Sequence, residues 1–385
     1  FGRRPIRLVW FTVVLPALLL NYFGQAALIL REPEAVENPF YEMVPAWGLY
    51  PVVVLATMAT VIASQALISG AFSLTAQAVQ LGYLPRVLIQ HTSKKEYGQI
   101  YIPAVNWLLM VACIGLVLGF RSSSNLAAAY GVAVTMTMTI TTILFYFVAR
   151  ERWGWPLWVT APLALFFLTF DVAFFAANAL KIPQGGWFPL VVAVGIFTLM
   201  TTWKRGRVIL SQRLEAQVEP LETFLEQVAS NSPVRVPGTA VYMSRKLGGT
   251  PFSLAQNLRM NKSLHEQVIL LTVETEEVPH IRKGRHIAAK NLGNGFVKVV
   301  LRYGFMEAPN VHKALGRVCI DGETPQADEL VYFVGRETLF ATKYPGMALW
   351  REKLFALMFK NALSASSFYR LPPSQVIELG AQVEL

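Results

Sequence analysis

Residues 157–180 have the sequence LWVTAPLALFFLTFDVAFFAANAL, in which Asp171 is the only charged residue. A helix needs about 20 mostly apolar residues to cross the roughly 30 Å hydrocarbon core of a bilayer. This stretch is long enough, and five others in the first 203 residues are comparable. We therefore predict six membrane helices, at about residues 8–30, 47–72, 102–120, 126–149, 157–180 and 186–203.

The region from residue 43 to residue 85 contains no Asp, Glu, Lys or Arg. It is longer than one span requires, so we expect a shorter segment next to the second membrane helix. That segment is expected to lie at the membrane surface or to fold back into the bilayer.

Charge divides the chain into two parts. Residues 1–203 contain 11 Lys and Arg and 7 Asp and Glu, whereas residues 204–385 contain 23 and 17. We therefore predict a transmembrane region over residues 1–203, a linker helix over 204–232 and an α/β domain outside the bilayer over 233–385. The net charge of +10 is spread over both parts without a dense basic block, so no nucleic-acid partner is predicted.

The loops differ in their content of Lys and Arg. If the spans alternate and the N-terminus faces the cytoplasm, eleven basic residues lie on the cytoplasmic side and three, Arg31, Arg121 and Lys181, on the other. This asymmetry predicts that the α/β domain is cytoplasmic. The two cysteines, Cys113 and Cys319, provide no disulfide framework, as expected in a reducing compartment.

Asp171 is the strongest functional candidate, because acidic residues inside spans are costly and commonly functional. Asn178 follows it by seven residues and is expected on the same helix face. The pair could relay protons or attract a cation. Alternatively, Asp171 forms a structural hydrogen bond to the soluble-facing end of a neighbouring helix.

The fourth and second spans carry further candidates. Tyr130 and Thr135 lie in a segment rich in small residues and threonine, which suits close helix packing. A hydroxyl and carbonyl lining is also what a dehydrated alkali cation requires. In the second span, Gln65 and Ser69 fall on one stripe, which predicts contact with protein or water. For these four residues, packing and an ion path remain alternatives.

No catalytic or metal-binding pattern was found. The sequence lacks a phosphate-binding loop ending in Gly-Lys-Ser/Thr, a His-Glu-x-x-His motif and a nucleophile flanked by glycines. We therefore predict neither an enzyme nor a resident cofactor or metal.

The second part of the chain alternates strands with helices. A basic segment, residues 282–286, could hold an anion or a lipid headgroup, although a solvated turn is the alternative. The predicted strands are 238–243, 267–274, 296–302, 331–334 and 376–379, and the predicted helices are 251–260, 311–318 and 346–361.

Several ordered segments resemble the Kup (KUP/HAK/KT) potassium uptake transporters of bacteria, over the whole length of the chain. The segments include FGRRPIRL at 1–8, LNYFGQ at 20–25, ASQALISG at 63–70, GQIYIP at 98–103, SSNLAAAYG at 123–131 and VPGTAVY at 236–242.

This resemblance implies an α-helical polytopic protein of the inner membrane, the second part of an APC/LeuT-like inverted-repeat transporter, with a cytoplasmic α/β domain. It implies uptake of potassium coupled to protons, and a possible homodimer. The chain would correspond to spans seven to twelve, and such a fragment is expected to be inactive alone. Tyr130 resembles a tyrosine that the family places near the ion path, whereas Asp171 would lie outside the ten-helix core. The alternative is a membrane-anchored sensor domain that transports nothing.

Overall fold

The computed structural model describes residues 3–92, 99–216, 219–244, 249–282, 284–318, 327–340 and 346–384. The chain forms two compact units, Phe1–Gly70 and Ala71–Leu385. The helices are α1 Arg3–Val9, α2 Leu15–Arg31, α3 Pro39–Glu42, α4 Leu49–Gln80, α5 Pro103–Phe120, α6 Ser123–Glu151, α7 Leu157–Ala179, α8 Trp187–Ala216, α9 Leu221–Asn231, α10 Phe252–Asn261, α11 Val311–Leu315, α12 Leu349–Lys360 and α13 Ala365–Phe368. The strands are β1 Gln90–His91, β2 Ile100–Tyr101, β3 Val234–Ser244, β4 Ser263–Glu276, β5 Ile287–Gly293, β6 Phe296–Gly304, β7 Leu330–Phe340 and β8 Val376–Glu384.

Six helical segments among the described residues are long and apolar enough to cross a membrane. Two differ from expectation. The second forms one helix, α4, of 32 residues, where we expected a span and a separate short segment; its interior has no proline beyond the first turn to interrupt the backbone hydrogen bonds. The six segments are Arg3–Arg31, Ala46–Gln80, Pro103–Phe120, Ser123–Glu151, Leu157–Ala179 and Ile182–Leu214.

The last span also differs, because α8 continues to Ala216 instead of ending near residue 203. The predicted linker helix over 204–232 is thus the end of α8 followed by a second helix, α9. Residues 217 and 218 lie outside the described part. Lys and Arg favour helix as much as Leu does, so the change from apolar to basic residues marks no end of the helix.

The first unit contains a helix defect. A π-helical turn, Trp10–Val14, separates α1 from α2, and Pro16 is the second residue of α2. Proline cannot donate a backbone hydrogen bond and its ring crowds the preceding turn, which the wider π-turn accommodates. Further along α2, the Gln25 side chain donates a 2.6 Å hydrogen bond to Asn21 Oδ1.

The second part of the chain folds around a six-stranded sheet of order β5-β6-β4-β3-β7-β8. All pairs are parallel except β5 with β6, which form an antiparallel hairpin. The five strands that we predicted are present, whereas β5 was missed. In the basic segment, the Arg285 amide donates to the Arg282 carbonyl in a turn, and Lys283 lies outside the described residues.

Alternation along the strands supplies two cores, one on each face of the sheet. On one face, Val241 and Ile269 pack with α11. On the other, Tyr242 and Leu270 pack with α9 and α10. The α/β domain therefore has helices on both faces of a mostly parallel sheet, as expected for strands buried on both sides.

The membrane helix α8 is joined to the α/β domain through α12. Trp203 and Leu210 of α8 form a buried cluster with Phe355 of α12, and Gly206 lies directly against the Phe355 ring. The Arg351 guanidinium donates to Thr202 Oγ1 at 2.9 Å. Within the second unit, the last span and the sheet therefore share one packed junction.

Candidate ion-path site in the membrane helices

Helices α6 and α7 form the most closely associated pair of membrane helices in the second unit. The buried face of α6 carries Ala128, Ala129, Val132 and Thr135 at helical spacing. Small side chains let helix backbones approach closely, which is how membrane helices associate where lipid supplies no hydrophobic driving force. The composition that favoured packing in the sequence therefore lies at a real helix contact.

Asp171 lies on the α6-facing side of α7 and is only 6% exposed. The Thr142 hydroxyl of α6 donates a 2.5 Å hydrogen bond to Asp171 Oδ2. Among the described residues, no Lys or Arg lies within ion-pair distance of this carboxyl group. The site is an acidic group held by one neutral donor, an arrangement able to accept a proton or to attract a cation.

Thr142 differs from the other threonines of α6. The hydroxyls of Thr135, Thr137 and Thr141 donate to the carbonyl groups of Gly131, Ala133 and Thr137 in their own helix, each at 2.8 Å. Such bonds satisfy the hydroxyl without joining helices. Of these four threonines, only Thr142 donates its hydroxyl hydrogen bond to another helix. The sequence analysis did not single it out. The available signal was its position seven residues after Thr135, on the same helix face.

Asn178 of α7 also contacts α6, at Gly131. Its side-chain amide donates to the Phe174 carbonyl at 3.0 Å, and its Oδ1 is closer to Gly131 than a Cβ at that position would allow. Asp171 and Asn178 thus both face α6, as their spacing predicted. Glycine at position 131 is required sterically, because a side chain there would displace Asn178.

A second close approach involves the π-helical turn Ile182–Gly186, which precedes α8. Gly185 has φ +151°, and a Cβ on it would lie 2.6 Å from the Asn125 carbonyl oxygen. A Cβ on Gly186 would lie 2.6 Å from Val132. Both glycines allow the turn to pack against the start of α6.

The remaining candidates are Tyr130 on α6 and, in the first unit, Gln65 and Ser69 on α4. Tyr130 is 71% exposed and points away from the buried face of α6. Gln65 and Ser69 are exposed on α4 in the first unit. The structure therefore brings together Asp171, Asn178 and the Thr135 face, and it places Tyr130 outside that contact.

Comparison with known proteins identifies the chain. A model of the K+ potassium transporter integral membrane domain matches residues 1–208, and a model of the K+ potassium transporter C-terminal domain matches residues 237–385. A probable potassium transport system protein Kup of Myxococcus xanthus (strain DK1622) is 56% identical over 385 residues, covering 100% of this chain and 59% of that protein. The chain belongs to the Kup family of potassium transporters.

Other Kup relatives give the same picture. Kup 1 of Geobacter sulfurreducens is 55% identical over 386 residues and Kup 2 of Chromobacterium violaceum 51% over 385, with 61% and 62% of those proteins covered. The chain thus spans about three fifths of the length of these relatives. The correspondence of the chain to spans seven to twelve stays a prediction.

Membership of the Kup family agrees with three expectations. Kup proteins are transporters rather than enzymes. The six apolar helices make the chain a multi-pass membrane protein. The sheet domain coincides with the region that the C-terminal-domain model matches.

Proposed function

We propose that this chain forms part of a secondary transporter that brings potassium into the cell as a K+/H+ symporter. The observation that carries the proposal is the match of the whole chain to proteins named as probable potassium transport system proteins. The membrane potential supplies about 2.3 kcal/mol per charge per 100 mV, which is sufficient to drive inward cation movement without a nucleotide.

The finer parts of the proposal concern setting and architecture. The spans lie in the inner membrane of a bacterium, surrounded by lipid, with the α/β domain in the cytoplasm. They contribute to an APC/LeuT-like inverted-repeat fold, in which broken helices supply backbone oxygens to the ion at the midplane. Two copies associate as a homodimer.

Proton coupling needs a titratable group at membrane depth. Asp171 is the only Asp or Glu in the interior of the six described spans. We assign it the proton, because its buried carboxylate has a single hydroxyl partner and can be neutralised without breaking an ion pair. Potassium and the proton are cargo, and no resident cofactor is assigned.

The test is rubidium uptake in a bacterial strain that lacks its own potassium importers. The chain is expressed alone and as a chimera in which it replaces the matching part of the Myxococcus xanthus relative. We expect uptake by the chimera, with a dependence on external pH that Asp171→Asn removes, and no uptake by the chain alone. Thr169→Val is the matched control on α7, because Thr169 is exposed and its hydroxyl donates only to its own helix.

A membrane-inserted chimera without uptake would refute transport and favour the membrane-anchored sensor. Uptake that keeps its pH dependence in Asp171→Asn would refute the assignment of the proton to Asp171 alone. Tyr130→Phe, tested in the same chimera, separates an ion-path role of this exposed tyrosine from packing.

A further inference from the structure

A cavity of about 1220 Å³ opens at the end of the sheet where the parallel strands finish. Ser244 at the end of β3, Thr275 near the end of β4 and Gly335 in β7 line it. In open α/β sheets, ligands bind outside the carboxyl ends of the strands. The volume exceeds that of many small-molecule pockets, so the space accommodates more than a single ion.

The N-terminus of α10 points into this cavity. Thr250, Pro251 and Ser253, which precede and begin the ten-residue helix, are among its lining residues. In the part of the chain that the structure describes, no side chain caps this end of the helix. The first backbone amide groups of a helix have no partner within it and carry the positive end of its dipole, so they attract anions.

Ser253 supplies an independent observation. It is 2% exposed, it lines the cavity, and its hydroxyl has no hydrogen-bond partner among the described residues. The neighbouring Thr250 hydroxyl is used, since it donates to the Glu219 carbonyl at 2.9 Å. Burying a hydroxyl without a partner is unfavourable. An acceptor oxygen of a ligand, placed before the helix, would accept hydrogen bonds from both the hydroxyl and the first amides of α10.

Basic side chains outnumber acidic ones in the cavity lining, which favours an anion. Among the described residues, four basic side chains and two acidic ones line the cavity. One acidic group, Glu378, is already paired with Arg336 at 3.2 Å. The basic side chains come from four separate parts of the second unit, namely Arg86, Arg207 of α8, Arg336 of β7 and Lys360 of α12.

We propose that this cavity binds a phosphate-bearing anion, whose phosphate oxygens accept hydrogen bonds from the Ser253 hydroxyl and the first amides of α10. Because α8 belongs both to the last span and to the cavity wall, an occupant would contact the membrane helix and the sheet together. The phosphate can belong to a soluble phosphate ester or to the headgroup of an anionic phospholipid.

The test uses the purified full chain. Inorganic phosphate and adenosine diphosphate are titrated into the protein in a neutral detergent, and dissociation constants are measured by calorimetry. In the second arm, the chain is placed in phosphatidylcholine nanodiscs with or without phosphatidylglycerol, and retained lipid is counted by native mass spectrometry. Binding in the first arm identifies a soluble ligand, and selective retention in the second identifies a headgroup.

Four variants test whether the anion binds in this cavity. Ser253→Ala should weaken binding about tenfold, the effect of one hydrogen bond to a charged group. Ser253→Asp should abolish it, because a carboxylate there occupies the anion position while remaining compatible with the helix dipole. Lys360→Gln should also weaken binding. Lys353→Gln is its control, since Lys353 is exposed on the same helix, seven residues earlier, and does not line the cavity.

The proposal is overturned if neither arm shows binding, or if Ser253→Asp and Lys360→Gln bind as the unaltered chain does. An equal loss in Lys360→Gln and Lys353→Gln also overturns it, because it would indicate attraction to surface charge rather than a site.

Discussion

The hydrogen bond from Thr142 to Asp171 is predicted to be the strongest single polar link between α6 and α7. At 2.5 Å it lies at the short end of the range for hydroxyl–carboxylate bonds, and Asp171 is 6% exposed. Hydrogen bonds to charged groups contribute about 1.5–3 kcal/mol, whereas those between membrane helices average about 0.6 and reach about 1.7 kcal/mol. We therefore expect a coupling energy of about 1.5 kcal/mol.

A double-mutant cycle measures this coupling. Thr142→Val removes the hydroxyl and keeps the shape, and Asp171→Leu removes the carboxyl group. The free energy of unfolding of the full chain is measured by titrating a denaturing detergent into mild-detergent micelles. Thr142→Val alone should cost about 1–3 kcal/mol, because it leaves a buried carboxylate oxygen without a partner. In the Asp171→Leu background that cost should largely disappear.

The neighbouring Thr141 provides the control. It is exposed, and its hydroxyl donates at 2.8 Å to the Thr137 carbonyl of its own helix. Thr141→Val should therefore show a coupling with Asp171→Leu within about 0.3 kcal/mol of zero. A cycle for Thr142 that is no larger than the cycle for Thr141 would refute the importance of this bond.

Three further predictions concern glycines and one histidine. Gly131→Ala should lower the free energy of unfolding by about 1–3 kcal/mol through collision with Asn178, and Asn178→Ala should restore most of the loss. Gly185→Ala should lower the free energy of unfolding by at least as much, because its φ of +151° and the nearby Asn125 carbonyl both oppose a side chain. Gly115 has open space around it, so Gly115→Ala is the control and should leave the free energy of unfolding unchanged. Burial lowers the pKa of His265 below its usual 6.5, so at acidic pH the unfolded chain binds more protons than the folded chain. The free energy of unfolding should therefore fall as the pH drops below about 6.5. A His265→Gln variant that shows the same fall would contradict this prediction.

The spans and most of the sheet could be predicted from local patterns. Apolar length located six helices, and buried strands such as β4 and β6 are runs of Val, Ile and Leu, which parallel strands covered on both faces require. The end of α8 could not be located in this way. Hydropathy reports where the bilayer ends, whereas the helix ends where its backbone hydrogen bonds stop.

The missed strand β5 shows a signal that was present but not used. Its sequence, IAAKNLG, has little strand propensity, so the strand itself gave no warning. The following Asn294 and Gly295 both have positive φ and form a two-residue hairpin turn into β6. Asn-Gly before a strong strand is a hairpin signal that predicts a partner strand on its other side.

The site could be predicted only in part. The seven-residue spacing of Asp171 and Asn178 correctly placed both on one face, because that follows from helix geometry alone. Their partners on α6, Thr142 and Gly131, depend on the relative position of two helices, which the sequence of either helix does not encode. For the same reason, the sequence did not single out Ser253, because the lack of a partner for its hydroxyl among the described residues is a property of the packed domain.

Helix α8 has a mechanical consequence. At 30 residues it is a stiff rod about 45 Å long, and Gly206 against the Phe355 ring clamps its far half to the sheet domain. A tilt of about 10° at one end displaces the other by about 8 Å. Because the sheet domain is attached to α8, a small tilt of the last membrane helix displaces the domain by several ångströms. A displacement of this size is large enough to be measured from the aqueous side of the membrane.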